Sequence, residues 1–250
     1  MVGSPAPDKP ALFQDGKRLD GRALDELRPL KIVAGVLKEA EGSAYVEWGG
    51  NKVICGVYGP RECIPKHDAN PYRALMKCRY TMSPFASLEE HGRSGPNRRS
   101  TEISKVIREA FDSVVMTGEY PKTQIDIYVD VLQAEGGTRI AAIAAATVAL
   151  ANAGLPMKDM ISGVAVGKAD GQLVVDLGKA EDNFGESDMP IAFKHRSKEI
   201  VLLQMDGKLT ADELSANIDA AIEGAEKVYA LQAEALRKSY DASEKQEFRM

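Results

Sequence analysis

The 250-residue chain has few of the residues on which metal centres and disulfide-bonded folds depend. It has three cysteines, none in C-x-x-C spacing, and three scattered histidines: Cys55, Cys63, Cys78, His67, His91 and His195. An odd number of cysteines without that spacing indicates neither a disulfide framework nor a zinc site. No run approaches the roughly 18 apolar residues of a membrane helix, and the first residues lack an apolar stretch of signal-peptide length. We therefore expect a cytoplasmic protein without a membrane association.

The chain also lacks an excess of positive charge, since its formal net charge is -5, and aromatic residues make up only 6% of it. This balance argues against a general nucleic-acid coat protein, because phosphate binding needs local positive potential. One stretch is an exception: residues 93–99 hold Arg93, Arg98 and Arg99 without an acidic residue. A polyanion site is expected there, although these arginines could instead pair with Glu89, Glu90 or Glu102 in a solvated loop. Lys66 and His67 form a smaller basic spot earlier in the chain.

The remaining composition, 44% hydrophobic and 28% charged, is typical of a globular protein. Gly49 and Gly50 between two β-type runs predict a hairpin, and residues 74–82 and 124–131 predict two more strands. Residues 59–72 and 83–97 are expected to be loops. Helical periodicity begins near Thr101 and returns at 138–153, and the Thr210–Glu213 capping box begins a long final helix. A second β region covers 161–175 and 191–205, with turns at Asp170-Gly171 and Asp206-Gly207.

This order of elements predicts an α+β fold in which helices pack on mixed β-sheets. Residues 1–16, which contain three prolines, are expected to form a flexible arm. Residues 17–250 lack a linker rich in proline and glycine, so they are expected to form one domain that ends in the long helix.

Residues 133–139 suggest an anion site where a strand turns into a helix. Helix N-termini expose unpaired N–H groups and a partial positive charge. Gly136 and Gly137 allow close backbone approach, Thr138 adds a hydroxyl and Arg139 adds a charged fork. The alternative is a glycine turn beside a solvated Arg139.

Residues 181–188 hold four acidic side chains between two apolar runs, which predicts an acidic loop at a sheet end. Crowded carboxylates raise each other's pKa or recruit a divalent cation, and a carboxylic acid held protonated can act as a general acid. The alternative is a solvated acidic turn.

Five motifs in order make the chain resemble the RNase PH-like phosphorolytic exoribonucleases, over roughly residues 16–243, and most of all the catalytic RNase PH-like subunit of the archaeal exosome. They are Arg18-Leu19-Asp20-Gly21-Arg22, Thr81-Met82-Ser83-Pro84-Phe85, Arg98-Arg99-Ser100-Thr101-Glu102, Glu135-Gly136-Gly137-Thr138-Arg139, and Asp182 with Asp188. The resemblance implies the RNase PH fold, which is related to domain 2 of ribosomal protein S5. It also implies an alternating six-membered ring with an inactive paralogue, and cap subunits that bind RNA. Single-stranded RNA would be shortened from its 3′ end by inorganic phosphate, with release of nucleoside diphosphates, and the reaction would be reversible as RNA tailing.

The same resemblance implies roles for individual residues. Gly136, Gly137, Thr138 and Arg139 would hold the attacking phosphate, and Arg99 would be shared between it and the scissile phosphodiester. Arg98 and Arg99 would neutralise the RNA backbone near the cut, with Arg93 on the same basic stretch. Lys66 and His67 would grip RNA at a narrow point of the channel.

Asp182 would be the general acid, and Asp188 would hold it in place or bind a divalent ion, with Mg²⁺ expected. In related bacterial polynucleotide phosphorylases a lysine that helps to bind metal follows the second aspartate by two positions, whereas here that position is Pro190.

Three other assignments fit parts of the pattern: an inactive scaffolding subunit of such a ring, a homo-oligomeric RNase PH that trims transfer RNA, and a small-molecule phosphotransferase. Both aspartates, both arginines and the glycine turn are present, which argues against the first. A phosphotransferase would have no use for Arg98 or for a channel.

Overall fold

Residues 11–14, 16–87 and 97–247 are described by a computed structural model of the chain. They form four α-helices, two five-stranded sheets and one small hairpin. The strands are β1 (Phe13–Gln14), β2 (Lys17–Arg18), β3 (Leu30–Ala34), β4 (Gly42–Trp48), β5 (Asn51–Glu62), β6 (Leu75–Met82), β7 (Thr123–Gln133), β8 (Ile161–Ala169), β9 (Gln172–Val175), β10 (Ser187–Lys194), β11 (Ile200–Leu203) and β12 (Asp206–Gly207). The helices are α1 (Arg98–Asp112), α2 (Thr138–Asn152), α3 (Lys179–Phe184) and α4 (Ala211–Glu247).

The first sheet has the strand order β3-β4-β5-β7-β6, in which only the pair β6–β7 is parallel. The predicted hairpin is confirmed, because Trp48 pairs with Asn51 across a turn of Gly49 and Gly50. Strand β5 continues to Glu62, so the predicted loop over residues 59–72 begins later than expected. The reason is that β5 resumes its pairing with β7 at Arg61 after an irregularity in the register.

The second sheet has the order β11-β10-β8-β9, with β12 also paired to β10. The predicted acidic loop over residues 181–188 is instead the short helix α3 followed by the start of β10. The helix forms because the Glu181 side chain accepts a hydrogen bond of 2.8 Å from the Gly178 N–H at its start. The predicted turn at Asp206-Gly207 is also an extended segment, since both residues pair with the beginning of β10.

Helix α2 lies between the two sheets, which explains its many small side chains. It contacts β4 and β5 on one side and β8 on the other, and most of its residues are buried. One apolar core therefore contains side chains from both sheets and from α1, α2 and α4. Helix α4 begins at the predicted capping box, in which the Thr210 N–H donates to Glu213 and the Glu213 N–H donates to the Thr210 hydroxyl. Within the described ranges, no helix combines the length and the apolar character that crossing a bilayer requires.

The described residues of the predicted arm, 11–14, pack against the second sheet. Leu12 is fully buried in a small apolar cluster with residues of β8 and β9 and with Leu177, and β1 pairs with β2. Residues 1–10 and Asp15 lie outside the described part of the chain.

Candidate active site

A cavity of about 630 Å³ opens where α1, the start of α2, α3 and β10 meet. Its walls include seven of the residues predicted for the site: Arg99, Gly136, Gly137, Thr138, Arg139, Asp182 and Asp188. The segment before and within β12 closes one side through Gln204, Met205 and Asp206. The fold thus brings the predicted anion turn, one predicted arginine and both predicted aspartates into one place.

The glycine turn has a backbone conformation that other residues rarely adopt. Gly136 and Gly137 have φ values of 73° and 68°, and Thr138 begins α2 directly afterwards. A Cβ atom on Gly136 would lie 3.0 Å from the backbone of Gly178 and Lys179, at the start of α3. The turn therefore needs glycine both for its φ and for the close approach of α3, and it leaves the first amides of α2 beside the cavity.

Two side chains, one from the loop before β3 and one from the start of β5, hold the carbonyl groups of this turn. Arg28 Nη1 donates to the Glu135 carbonyl at 2.5 Å, and Asn51 Nδ2 donates to the Gly136 carbonyl at 2.6 Å. Asn51 also accepts from the Glu135 N–H at 2.6 Å. Because the carbonyls are bound away from the cavity, the turn presents its donors rather than its acceptors to an anion.

A buried arginine cluster links this turn to α3. It consists of Arg18, Arg22, Arg28, Asp176 and Glu181. Arg18 forms a two-pronged ion pair with Glu181, with N···O distances of 2.7 and 2.5 Å, and Arg28 lies 2.6 Å from Asp176. Bidentate pairs of this kind fix geometry as well as charge. Since Glu181 belongs to α3, Arg18 locates the helix that carries Asp182.

Sequence reasoning missed these positioning roles. Arg18 and Arg22 were recognised only as parts of a motif, and Arg28 was not singled out. All three have less than a tenth of their surface exposed. Each contacts an acceptor about 150 residues away in the chain, and Arg28 also contacts the carbonyl of Glu135. No local spacing predicts such a contact. From sequence alone, an arginine in a loop is expected to be exposed to solvent.

Arg139 is held at the cavity wall with 22% of its side chain exposed. Its Nη2 lies 3.6 Å from Glu102 Oε1, and its Nε is buried without a hydrogen-bond partner among the described residues. A buried donor that lacks a partner costs free energy unless a ligand or water satisfies it. The residue is therefore not the freely solvated arginine of the alternative interpretation, and its site suits an anion.

Asp182 on α3 and Asp188 on β10 are hydrogen-bonded to each other. Such a bond needs a hydrogen on one of the two carboxyl groups, and Asp188 is the one whose pKa is raised. Burial raises the pKa of Asp188 to about 7, and the charge of Asp182 and the hydrogen bond with it act in the same direction; Arg139 opposes them. The cavity thus has a carboxylic acid that retains its proton close to neutral pH, as a general acid needs.

Some predicted residues do not line the cavity. Arg98 is exposed at the first position of α1. Lys66 and His67 are exposed on a one-turn 3₁₀ helix, where Lys66 pairs with Glu62 at 2.7 Å and His67 lies 3.5 Å from Asp68. Arg93 lies outside the described residues.

No group of three or more histidine, cysteine, aspartate or glutamate side chains in the described ranges could hold a metal ion. The aspartate pair supplies two carboxylates, and Pro190 is buried in the cavity wall. Mg²⁺ is commonly bound by one or two carboxylates together with substrate phosphates and water. The pair therefore fits Mg²⁺ only as a site that substrate completes.

The α+β fold, with two sheets around a central helix, is the RNase PH fold. Among solved structures, the chain superposes on rice Rrp46 with a TM-score of 0.79 at 23% identity, covering 88% of this chain and 100% of that one. It also superposes on a structure described as the Archaeoglobus fulgidus exosome with RNA bound to the active site. That TM-score is 0.74 at 26% identity, with 86% and 92% of the two chains covered.

The chain belongs to the 3′ exoribonuclease family, whose domain 1 matches residues 26–156 and whose domain 2 matches residues 159–224. It is 56% identical to exosome complex component Rrp41 of Archaeoglobus fulgidus over 232 residues, or 92% of this chain and 90% of that protein. It is 53% identical to exosome complex component Rrp41 of Thermoplasma acidophilum over 227 residues, or 91% of each. The predicted family, fold and exoribonuclease class are confirmed.

Proposed function

We propose that this chain is the catalytic subunit of an archaeal exosome and that it shortens single-stranded RNA from the 3′ end by phosphorolysis. Inorganic phosphate is the co-substrate and nucleoside diphosphates are the products. The observation that carries the proposal is the cavity itself, in which an anion-binding turn faces a hydrogen-bonded pair of aspartates. Phosphorolysis exchanges one phosphate linkage for another, so the same site extends RNA when diphosphates are abundant.

The attacking phosphate is assigned to the turn at the start of α2. The amides of Gly136, Gly137 and Thr138 and the N-terminal partial charge of α2 favour an anion there. Arg139 and Arg99 also line the cavity, and Arg99 is assigned to both the phosphate and the scissile phosphodiester. Two negative reactants have to meet, so neutralisation and alignment supply most of the rate.

Asp182 is assigned as the general acid. A phosphate oxygen attacks the phosphorus of the last linkage, the bond from phosphorus to the 3′ oxygen breaks, and the proton of the aspartate pair goes to that 3′ oxygen. Asp188 keeps the proton in the pair near neutral pH and orients Asp182 through their hydrogen bond. In their ionised form Asp182 and Asp188 would hold Mg²⁺, which when bound would add positive charge beside the reacting phosphates.

The RNA strand is assigned a path over the basic residues outside the cavity. Arg98 lies beside Arg99 on the first turn of α1, where both contact backbone phosphates, and Arg93 belongs to the same basic stretch of sequence. Lys66 and His67 are assigned to a second contact, several nucleotides from the cut. Both side chains are exposed, which supports a role in contacting a ligand rather than in packing the core.

The relatives are named as components of a complex, and we propose the same for this chain. It would alternate with an inactive RNase PH-like paralogue in a six-membered ring, with RNA-binding cap subunits on one face, in the cytoplasm. Residues 17–250 would act as one domain within it, with residues 11–14 of the predicted arm packed on its second sheet. The core shared by both sheets supports the single domain.

The test is an assay of the assembled complex on a single-stranded RNA, with and without inorganic phosphate. We expect shortening from the 3′ end only with phosphate, and nucleoside diphosphates as the products. Nucleoside monophosphates would mean hydrolysis and would contradict the mechanism. The chain assayed without its paralogue serves as a second arm, because full activity of a homo-oligomer would favour an RNase PH that acts on its own.

A further inference from the structure

A buried tyrosine lies directly behind the phosphate-binding turn. Tyr80 on β6 has 2% of its surface exposed, and its Oη lies 3.0 Å from Thr138 Oγ1. The Tyr80 N–H donates to the Ser104 hydroxyl, and Ser104 in turn donates to the Ser100 carbonyl. The ring is thus fixed by the core and by α1, and its hydroxyl reaches the first residue of α2.

A hydrogen bond between two hydroxyl groups can run in either direction, because each group can accept and each has a single hydrogen to donate. If Thr138 donates its hydrogen to Tyr80, it has none left for an anion in the cavity. If Tyr80 donates to Thr138, the hydrogen of Thr138 is free to point into the cavity, whose wall Thr138 forms. A bound anion favours this second arrangement, since each bond in such a chain polarises the next.

We infer that Tyr80 is a positioning residue, which donates to Thr138 and thereby directs the Thr138 hydroxyl hydrogen toward an oxygen of the attacking phosphate. This inference rests on the proposed function, since it needs the phosphate to bind beside Thr138. It gives the buried phenol a role that packing alone does not require. A phenylalanine would fill the same volume.

The surroundings of Tyr80 keep the donor available. Burial raises the pKa of the phenol, while the hydrogen bond with Thr138 and the charges of Arg99 and Arg139 oppose that rise only in part. The group therefore retains its hydrogen throughout the neutral range. Both arginines lie near enough to act on it, which places Tyr80 immediately behind the phosphate site.

A double-mutant cycle on the assembled complex tests the inference, with Tyr80→Phe, Thr138→Val and the double variant. Each single substitution should raise KM for phosphate about five-fold, the effect of one neutral hydrogen bond. The double variant should do no worse than the more affected single variant, because the two hydroxyls act as one chain. The dissociation constant for single-stranded RNA should stay unchanged in all three.

The outcomes separate this inference from the proposed function. If Thr138→Val leaves KM for phosphate unchanged, the assignment of Thr138 to the phosphate is wrong. If Thr138→Val raises KM but Tyr80→Phe does not, or if the two effects simply multiply, Tyr80 does not direct the hydroxyl. Should Tyr80→Phe fail to fold, 3-fluorotyrosine incorporated at Tyr80 keeps the hydroxyl and makes it a stronger donor. It should then lower KM for phosphate, and an unchanged KM would refute the inference.

Discussion

Residues of one type perform different tasks in this protein, according to what each side chain contacts. Arg18 and Arg28 are buried against carboxylates and hold the backbone in place, whereas Arg99 lines the cavity and Arg98 is exposed. Glu181 is bound to an arginine, while its neighbour Asp182 lies beside Asp188, whose pKa is raised to about 7 by burial and by that second carboxyl group.

The raised pKa of Asp188 predicts a pH-dependent stability. A carboxyl that keeps its proton to about pH 7 when folded, but loses it near 3.8 when unfolded, makes the folded state less stable as pH rises through that interval. Asp188→Asn removes this dependence. We expect the variant to exceed the wild type in free energy of unfolding by on the order of 2 kcal/mol at pH 8. This is less than the full pKa difference would give, because Asp188 is only partly buried and solvent screens its charge.

Denaturant unfolding at pH 4, 6 and 8 measures this difference. The advantage of Asp188→Asn should be smallest at pH 4, where the wild-type carboxyl is protonated in the folded state and has lost only about half of its proton in the unfolded state, and should grow toward pH 8. An advantage that stays constant with pH, or one that shrinks as pH rises, would show that the carboxyl pair does not hold its proton in the folded protein.

At the scale of elements, the site depends on how closely the start of α3 approaches the turn before α2. Gly136 allows that approach, and the ion pair between Arg18 and Glu181 holds α3 on the other side. Neither element is long, so their relative position is set by these contacts more than by their own stability.

Gly136→Ala should therefore disturb the site more than its backbone strain alone would. Gly171 is a matched control, because its φ of 77° is close to the 73° of Gly136 but a Cβ there meets nothing within 4 Å. Gly171→Ala should cost about 1 kcal/mol in stability and leave phosphorolysis intact. Gly136→Ala should cost more and lower kcat on the order of ten-fold, as measured by thermal unfolding and a single-stranded RNA assay. Equal losses in both variants would mean that the contact with α3 is not important.

At the scale of the whole molecule, the cavity combines residues of both family domains. The turn and Arg99 belong to the segment that matches domain 1, and the aspartates belong to the segment that matches domain 2. Helix α2 connects the two sheets, and its start lines the cavity to which the phosphate is assigned. The exposed basic residues lie outside the cavity. A polymer that extends beyond the cavity would contact them, whereas a free nucleotide bound inside it would not.

Arg98→Glu tests that division of roles. The variant should bind single-stranded RNA about ten-fold more weakly at low salt, with a shallower salt dependence, because a phosphate contact is lost. The KM for phosphate should not change. A glutamate at the start of α1 is favourable for the helix, so the fold should be retained.

Arg237→Glu is the control for the change in charge. Arg237 is exposed on α4, near the end of α2 that is opposite Thr138, since Tyr240 donates to the Ala151 carbonyl. That end is about 20 Å from the phosphate site along the helix. Equal weakening of RNA binding by both variants would indicate a general effect of net charge rather than a contact at Arg98.

Local sequence patterns were sufficient to predict the hairpin at Gly49, the helix at Thr138 and the capping box at Thr210, because each depends on neighbouring residues. The anion turn and the aspartate pair were also correctly singled out as neighbours in one site, although that expectation came from the order of the motifs. The helix over residues 179–184 was missed, since its acidic composition is equally typical of a loop.

The sequence by itself determined which chemical groups are available: two glycines before a helix, a pair of aspartates and a set of arginines. Only the tertiary structure decided which of those arginines are buried supports and which can meet a ligand, because contacts across about 150 residues leave no local pattern. It also decided that the pKa of Asp188 is raised, since a pKa depends on burial and on neighbouring charges that only the folded chain brings together.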